Sequence, residues 1–275
     1  MLNRLGYALT EITDRDVPDS DSSRDPEVAE YICHSDQWRT INFDYCSTVG
    51  PLTVRAISEH CEHLQYLNIG HCRNVSSAVL NVILVKAPCL KVFVALYCQG
   101  PAHRDDPFLS AQDFTLDWGS LALEEFHSKI IVPESDRHWD DEILQEKVRS
   151  PMHGAVVASR HMQRLVYRKL AEQNSLKSLF LGQYPTTSMG QADCWYQSRC
   201  LEMMLASGLD ELADLQRLEQ LNLYSMGLRI GMPGLEWMVT HWPNLKFAAG
   251  LLDTLHQDPS PGVCEWLRDN RIDWL

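Results

Sequence analysis

Histidines and cysteines that lie close together in the sequence are the residues best suited to chemistry. They form the run His60-Cys61-Glu62-His63, the pair His71-Cys72 and the pair Cys194 and Cys200. Thiolate sulfur and imidazole nitrogen are ligands that zinc prefers, and structural zinc sites arrange them at short, regular spacings. The spacings here do not match a zinc finger or ribbon. Bound zinc is therefore the minor alternative, and we expect no metal and no cofactor.

Sequence motifs of common enzyme classes are missing from the chain. It contains no GxxxxGK[ST] phosphate loop, no dinucleotide fingerprint, no HExxH and no GxSxG. The adjacent carboxylates Glu124-Glu125 and Asp140-Asp141 are expected in exposed strands or loops, where paired acids are not evidence for acid–base catalysis. We therefore expect no catalytic residue, and an enzyme built on loops is the least favoured function.

Several cysteines belong instead to a repeated motif. The segments Trp38–Cys46, Leu64–Cys72 and Leu90–Cys98 align without gaps, and each reads apolar-x-x-apolar-x-apolar-x-x-Cys at intervals of 26 residues. That period lies in the window of leucine-rich repeats. Looser copies begin at Leu123, Leu176, Leu218 and Leu245.

The spacing of apolar residues predicts the local structure of each repeat. Because strand side chains alternate between faces, Leu67 and Ile69 should point inward while Tyr66 and Asn68 point outward. The cysteine that follows is a small buried group able to bond to the backbone of the turn. Between strands, the apolar residues fall at helical spacing. The prediction is an α/β fold, a right-handed leucine-rich-repeat solenoid with a curved parallel sheet and convex helices, similar to ribonuclease inhibitor.

Two segments make up the expected domain organisation. Residues 1–35 are an acidic leader with a possible capping helix, in which Asp25 is the helix cap and Pro26 lies in the first turn. Residues 36–275 form a repeat domain with about seven repeats. Insertions near 99–113, 133–154 and 182–197 should project from one edge and form an insertion rim.

Outward strand positions are the expected binding surface for a protein target, with the insertion rim as the other location. Apolar and aromatic side chains at such positions indicate a protein interface, although an insertion or the leader could instead fold back and cover them. Tyr66, Phe180, Tyr224 and Phe247 are the expected hot spots. The predicted partner-binding residues on the concave face are Tyr66, Asn68, Val92, Val94, Leu96, Phe180, Asn222, Tyr224 and Phe247.

Composition narrows the classes of partner. The 275 residues are 45% hydrophobic, enough for a sizeable core, and the net charge of −13 disfavours nucleic acids and anionic membranes. No apolar run approaches the roughly 20 residues of a membrane span, and the first residues lack the apolar core of a secretory signal. The nine cysteines are scattered and expected to be free thiols. We therefore expect a cytoplasmic or nuclear protein.

The 26-residue period with cysteine at the strand exit resembles the cysteine-containing subclass of leucine-rich repeats, which is typical of F-box proteins. Leu64–Cys72 and Leu90–Cys98 carry the resemblance, with Leu218–Leu223 in looser form. The fragments Trp118–Phe126 and Trp242–Lys246 look like fungal members of that group. The resemblance implies substrate recognition in a cullin-type ubiquitin ligase, with no catalytic residue in the chain.

The chain departs from this family at its N-terminus. The F-box, a short helical module that opens with a Leu-Pro-like pattern, is not found, and residues 1–35 are too short and acidic to hold it. Attachment to a ligase adaptor therefore requires an F-box outside this chain. The alternative is a stand-alone leucine-rich-repeat binding or inhibitor protein unrelated to ubiquitin.

Overall fold

The computed structural model describes residues 11–13, 24–72, 74–96, 109–132, 151–182, 200–224, 226, 230, 232–251 and 261–274. The chain divides into two units. Unit 1 comprises Met1–Leu109 and Leu116–Ser128, and unit 2 comprises Ser110–Thr115 and Lys129–Leu275.

Strands and helices alternate along the first part of unit 1. The elements in chain order are β1 (Glu11–Thr13), α1 (Asp25–Ile32), β2 (Thr40–Asn42), α2 (Pro51–His60), β3 (Tyr66–Asn68), α3 (Ser77–Lys86), β4 (Val92–Val94), β5 (Leu109–Ser110), which reaches the unit boundary, and β6 (Glu125–His127). In space, β1, β2, β3, β4 and β6 follow one another and every pair is parallel. Parallel neighbours need a crossover connection, and helices α1, α2 and α3 provide it from β1 to β4.

Equivalent positions of the sequence motif lie side by side in the sheet. Tyr66 of β3 is paired with Thr40 of β2 and with Val92 of β4. The amides of Gln65 and Tyr66 both donate to the carbonyl of Arg39, at 2.8 and 3.0 Å. The same pair of hydrogen bonds to a single carbonyl recurs at four other pairs of adjacent amides: Lys91 and Val92, Glu124 and Glu125, Glu219 and Gln220, and Lys246 and Phe247. The repeat in the sequence is thus a repeat of backbone hydrogen bonding.

The motif cysteine bonds to the turn backbone, as expected, at Cys72. Its buried thiol donates to the carbonyl of Phe43 in the preceding turn, at 3.1 Å between Sγ and O. The thiol of Cys46 instead pairs with the hydroxyl of Thr48, at 2.9 Å. The third motif cysteine, Cys98, lies outside the described residues.

Inward strand residues form the core of unit 1. Ile41, Leu67, Phe93 and Phe126 occupy the same motif position in neighbouring strands, and all are fully buried. The rings of Phe93 and Phe126 stack with centroids 5.7 Å apart, and Trp118 stacks on Phe126 at 5.5 Å. The predicted inward face is confirmed at these positions.

The N-terminal segment differs from its prediction in two ways. Glu11–Thr13 is strand β1, paired in parallel with β2, although residues 10–30 look like a loose acidic leader in the sequence. A helix does begin at Asp25, but its cap is Arg24, and the Asp25 side chain does not cap it. The Asp25 carboxylate instead caps α2, the next helix along the chain, because the packing of α1 on α2 brings it there.

Unit 2 continues the alternation of strands and helices. Its elements after the short helical segment Ala111–Thr115 are β7 (Ile130–Ile131), α4 (Pro151–Ala171), β8 (Ser178–Phe180), two 3-10 turns (Leu205–Ser207 and Leu209–Leu212), β9 (Gln220–Asn222), α5 (Met232–His241), β10 (Phe247–Ala249), α6 (Pro261–Asp269) and β11 (Asp273–Trp274). The strands β8, β9, β10 and β11 are neighbours and parallel. Both units therefore have the α/β class that the sequence predicts.

The long helix α4 is held in unit 2 by buried polar contacts. The hydroxyl of the fully buried Tyr167 accepts a hydrogen bond from the amide of Met203, at 3.0 Å. Burial raises the pKa of Tyr167 well above its usual value, so the phenol stays neutral. At the surface, Arg168 bonds to Glu211 at 2.9 Å and, mainly through this bond, lowers the pKa of that carboxyl.

The predicted insertions, near 99–113, 133–154 and 182–197, fall mainly outside the described residues. Among the helices that it does describe, none is both long and apolar enough to cross a membrane.

Candidate protein-binding surface

The outward strand positions of unit 1 form one face of its sheet, here called the outer face. Two rows of side chains cross it, one from the first and one from the last residue of strands β2, β3, β4 and β6, and all of these are partly exposed. The first row is Thr40, Tyr66, Val92 and Glu125, and the second row is Asn42, Asn68, Val94 and His127.

The middle of the outer face is apolar. Val92 and Val94 both project from β4, and Tyr66 lies directly beside Val92 on β3. All three are partly exposed, as predicted for outward positions. An aromatic ring next to two branched aliphatic groups is the type of surface that protein interfaces bury.

The asparagines at the ends of strands shape the turns that follow. Oδ1 of Asn68 accepts a hydrogen bond from the amide of Gly70 at 2.9 Å, and Asn42 and Asn222 bond in the same way to the amides of Asp44 and Tyr224. A side chain that bonds to the backbone two residues later stabilises a turn. Asn68 therefore has a structural role besides its predicted place on the binding surface.

A cluster of three polar and aromatic residues borders the outer face where β2 and β3 end. The ring of Tyr45 stacks on the ring of His71, with centroids 3.6 Å apart and planes 10° apart. Nδ1 of His71 lies 2.9 Å from Oδ1 of Asp44. The Tyr45 side chain is 71% exposed, so the face of its ring that does not contact His71 is open to solvent. We call Asp44, Tyr45 and His71 the rim.

Tyr45 and His71 occupy the same position in successive repeats, and both have left-handed backbone conformations, with φ of 61° and 58°. Residues with a Cβ adopt this conformation at a cost, and glycine adopts it readily. Two successive aromatic rings therefore stand where glycine would be easier to accommodate. Such strain is characteristic of functional positions.

The sequence prediction missed the rim, although a signal was present. An aromatic residue precedes each motif cysteine, in Tyr45-Cys46, His71-Cys72 and Tyr97-Cys98. The predicted surface contained strand positions, whereas the rim residues lie in the turns that follow the strands. Tyr97 lies outside the described residues.

Two of the predicted surface residues are buried, so their prediction as solvent-facing is wrong. Leu96 is 1% exposed, because the strand has ended at Val94 and the alternation of faces no longer holds. Asn222 is 0% exposed, flanked in register by Phe180 and Ala249 and bonded to the Tyr224 backbone.

The other predicted residues of unit 2 keep some exposure. Phe180, Tyr224 and Phe247 are each partly exposed, like Tyr66 in unit 1. Phe180 and Phe247 flank strand β9 on either side, in opposite rows. Aromatic side chains thus line the outward face of this sheet also.

His127 ends the second row of the outer face, and its environment disfavours a charge. Burial lowers the pKa of His127 to about 4. Oε2 of Glu125 lies 3.8 Å from its Nε2, but that carboxylate is 44% exposed and screened by water, so desolvation outweighs it.

The stability of the protein should therefore depend on His127 at mildly acidic pH. An unfolded histidine binds its proton near pH 6.5, whereas the folded side chain stays neutral until about pH 4. The free energy of unfolding should fall between these values, by about 2 kcal/mol at pH 5 relative to pH 8. Urea titrations across this pH range should show the fall in the free energy of unfolding for the native chain. The same titrations of His127→Gln should not show it. His63→Gln, at an exposed histidine, is the control; an unchanged pH profile in His127→Gln would contradict this prediction.

Three of the cysteines considered as zinc ligands, Cys61, Cys72 and Cys200, are buried. Burial, with a smaller effect of Cys33, raises the pKa of Cys61 to about 12, so its thiol remains protonated. The thiol of Cys72 donates a hydrogen bond to the Phe43 carbonyl. No group of three or more metal-binding side chains converges within the described ranges, and Cys194 lies outside them.

Comparison with known proteins does not identify a family for this chain. No protein-family model matches the chain, and no curated protein matches it.

Proposed function

We propose that this chain is a leucine-rich-repeat solenoid that binds another protein through the outer face of unit 1. The observation that supports this most directly is the apolar patch of Tyr66, Val92 and Val94, which remains partly exposed on a regular parallel sheet. Partly exposed aromatic and aliphatic groups on a rigid scaffold lose little conformational entropy on binding. The surface is therefore suited to a protein partner.

The narrower proposal is that the bound protein is a substrate of a cullin-type ubiquitin ligase. Its support is the resemblance of the motif in Leu64–Cys72 and Leu90–Cys98 to F-box receptors. The chain would present the substrate, and other subunits would transfer ubiquitin. The alternative is a binding or inhibitor protein of the same architecture without a ligase.

A charged residue in the apolar patch should disrupt binding. Val92→Glu places a carboxylate beside Tyr66, and burying it against a partner would cost at least 1.4 kcal/mol, a tenfold loss of affinity. Val82→Glu is the matched control, because Val82 is 41% exposed on helix α3. We expect the native chain and Val82→Glu to capture the same partner proteins from cell extract. Val92→Glu should not capture them.

Affinity of a captured partner would then be titrated against all three chains, after circular dichroism has confirmed equal folding. Equal affinity for Val92→Glu and Val82→Glu would contradict the proposal that the outer face binds. Capture of a cullin adaptor together with the partner, by a chain extended with its upstream coding sequence, would support the ligase assignment. A partner without ligase components from either chain would support the alternative.

A further inference from the structure

We infer that the rim of unit 1 is a subsite for an arginine side chain of the partner protein. This inference rests on the proposed function, because it names the chemistry that the partner would place beside the outer face. The rim combines an exposed aromatic ring with a carboxylate, the two groups that a guanidinium recognises best.

The aromatic half of the subsite is Tyr45. One face of its ring is fixed against His71, at 3.6 Å between centroids, and the side chain is otherwise 71% exposed. The stack holds the ring in one orientation, so little side-chain entropy remains to be lost when a planar cation stacks on the open face. A guanidinium placed there gains both stacking and attraction to the ring electrons.

The charged half of the subsite is Asp44. Its Oδ1 is 2.9 Å from Nδ1 of His71, which holds the carboxylate in place and leaves Oδ2 available to a second donor. The Asp44 side chain is 38% exposed, so a partner can reach it. Gly70, the residue before His71, makes this arrangement possible because it has no side chain. A Cβ at Gly70 would lie 2.8 Å from Oδ1 of Asp44.

The net charge of the chain favours a cationic ligand, and the backbone conformation of the rim is that of a functional position. The chain carries a net charge of −13, which attracts a basic partner. The exposed Arg39 and Lys91 precede strands β2 and β4, so these two cations lie at the opposite ends of the strands from the rim and do not compete there. The left-handed conformation of Tyr45 and His71 shows that both rings are kept where glycine would be less strained.

Tyr45→Gly separates binding from folding. Glycine adopts the φ of 61° readily, so the variant loses the ring while relieving backbone strain. Asp44→Asn removes the charge and keeps an oxygen of similar position. Leu121→Gly is the control, since it removes an exposed apolar side chain (63%) from another turn of unit 1.

The probe is a capped Gly-Arg-Gly peptide added to the full ¹⁵N-labelled chain, and the readout is the shift of the Gly70 and His71 amide signals. We expect saturable shifts with the arginine peptide, at least fivefold weaker binding of the lysine peptide, and none of the citrulline peptide, which has the same shape without the charge. Tyr45→Gly and Asp44→Asn should each weaken arginine binding at least fivefold, and Leu121→Gly should not. Equal shifts with citrulline, equal binding of lysine, or native binding by Tyr45→Gly would overturn the inference.

Failure of this inference can be told apart from failure of the proposed function. If Val92→Glu loses its partner while no arginine peptide binds the rim, the outer face is a binding surface and the arginine subsite is wrong. If the arginine peptide binds as expected and Val92→Glu keeps every partner, the subsite is right and the proposed surface is wrong.

Discussion

Replacing Asp25 with alanine is expected to lower the free energy of unfolding by about 3 kcal/mol. The Asp25 carboxylate accepts hydrogen bonds from the amides of Gly50, Leu52 and Thr53, at 2.9 to 3.0 Å, and from the Thr53 hydroxyl at 2.6 Å. These amides belong to the first turn of α2, which lacks a cap from its own Gly50. Alanine would leave buried donors without an acceptor and a helix end without its compensating charge.

The effect of Asp25→Ala should be local as well as large. Urea unfolding would measure the loss of stability, and amide hydrogen exchange should show the greatest loss of protection in α2. Glu27→Ala is the matched control, because Glu27 is an exposed acid in the same turn of α1. It should cost no more than about 0.5 kcal/mol. Equal effects of the two substitutions would mean that net charge near α1, and not the cap on α2, matters.

Gly250→Ala is expected to lower the free energy of unfolding by about 3 kcal/mol as well, through backbone crowding. A Cβ at Gly250 would lie 2.4 Å from the amide nitrogen of Tyr224 and 2.5 Å from the carbonyl carbon of Leu223, and backbone atoms cannot rotate away. Its φ of 80° adds strain for any residue with a Cβ. Gly182 approaches the same Tyr224 backbone from β8, so the exit of β9 is enclosed by glycine on both sides.

The control for this substitution is Gly234→Ala. Gly234 lies in helix α5, and among the described residues a Cβ there would meet the Ile230 side chain alone, at 3.1 Å. Since alanine favours helix by about 1 kcal/mol over glycine, Gly234→Ala should be neutral or slightly stabilising. Thermal unfolding of both variants gives the comparison. A melting temperature of Gly250→Ala equal to that of Gly234→Ala would show that the turn after β9 can move aside at little cost.

Local periodicity explains why the sequence predicted the strands well. The seven strands expected from the motif are present at Thr40–Asn42, Tyr66–Asn68, Val92–Val94, Glu125–His127, Ser178–Phe180, Gln220–Asn222 and Phe247–Ala249. Their inward residues are buried because a strand places alternate side chains on opposite faces whatever its surroundings. The four other strands that the structure describes, β1, β5, β7 and β11, have no copy of the motif and were missed.

The sequence prediction placed two residues wrongly, for different reasons. Leu96 lies after the end of β4, where the chain turns. The alternation of side chains along a strand therefore no longer indicates which way the Leu96 side chain points. Asn222 has the outward position of its strand, yet its neighbours bury it. Burial of an outward residue depends on what packs over it, and no pattern within the strand records that.

Spacing within short stretches of the sequence was enough to predict the α/β class, the register of the strands and the two rows of outward side chains. Tertiary structure decided which helix Asp25 caps, which outward residues remain exposed, and that Tyr45, His71 and Asp44 form one cluster. Asp25 lies 25 residues from Gly50, and Asp44 lies 27 residues from His71. Contacts over such separations arise only when neighbouring repeats pack, since a side chain's partner across a turn is set by the three-dimensional register and not by its neighbours in sequence.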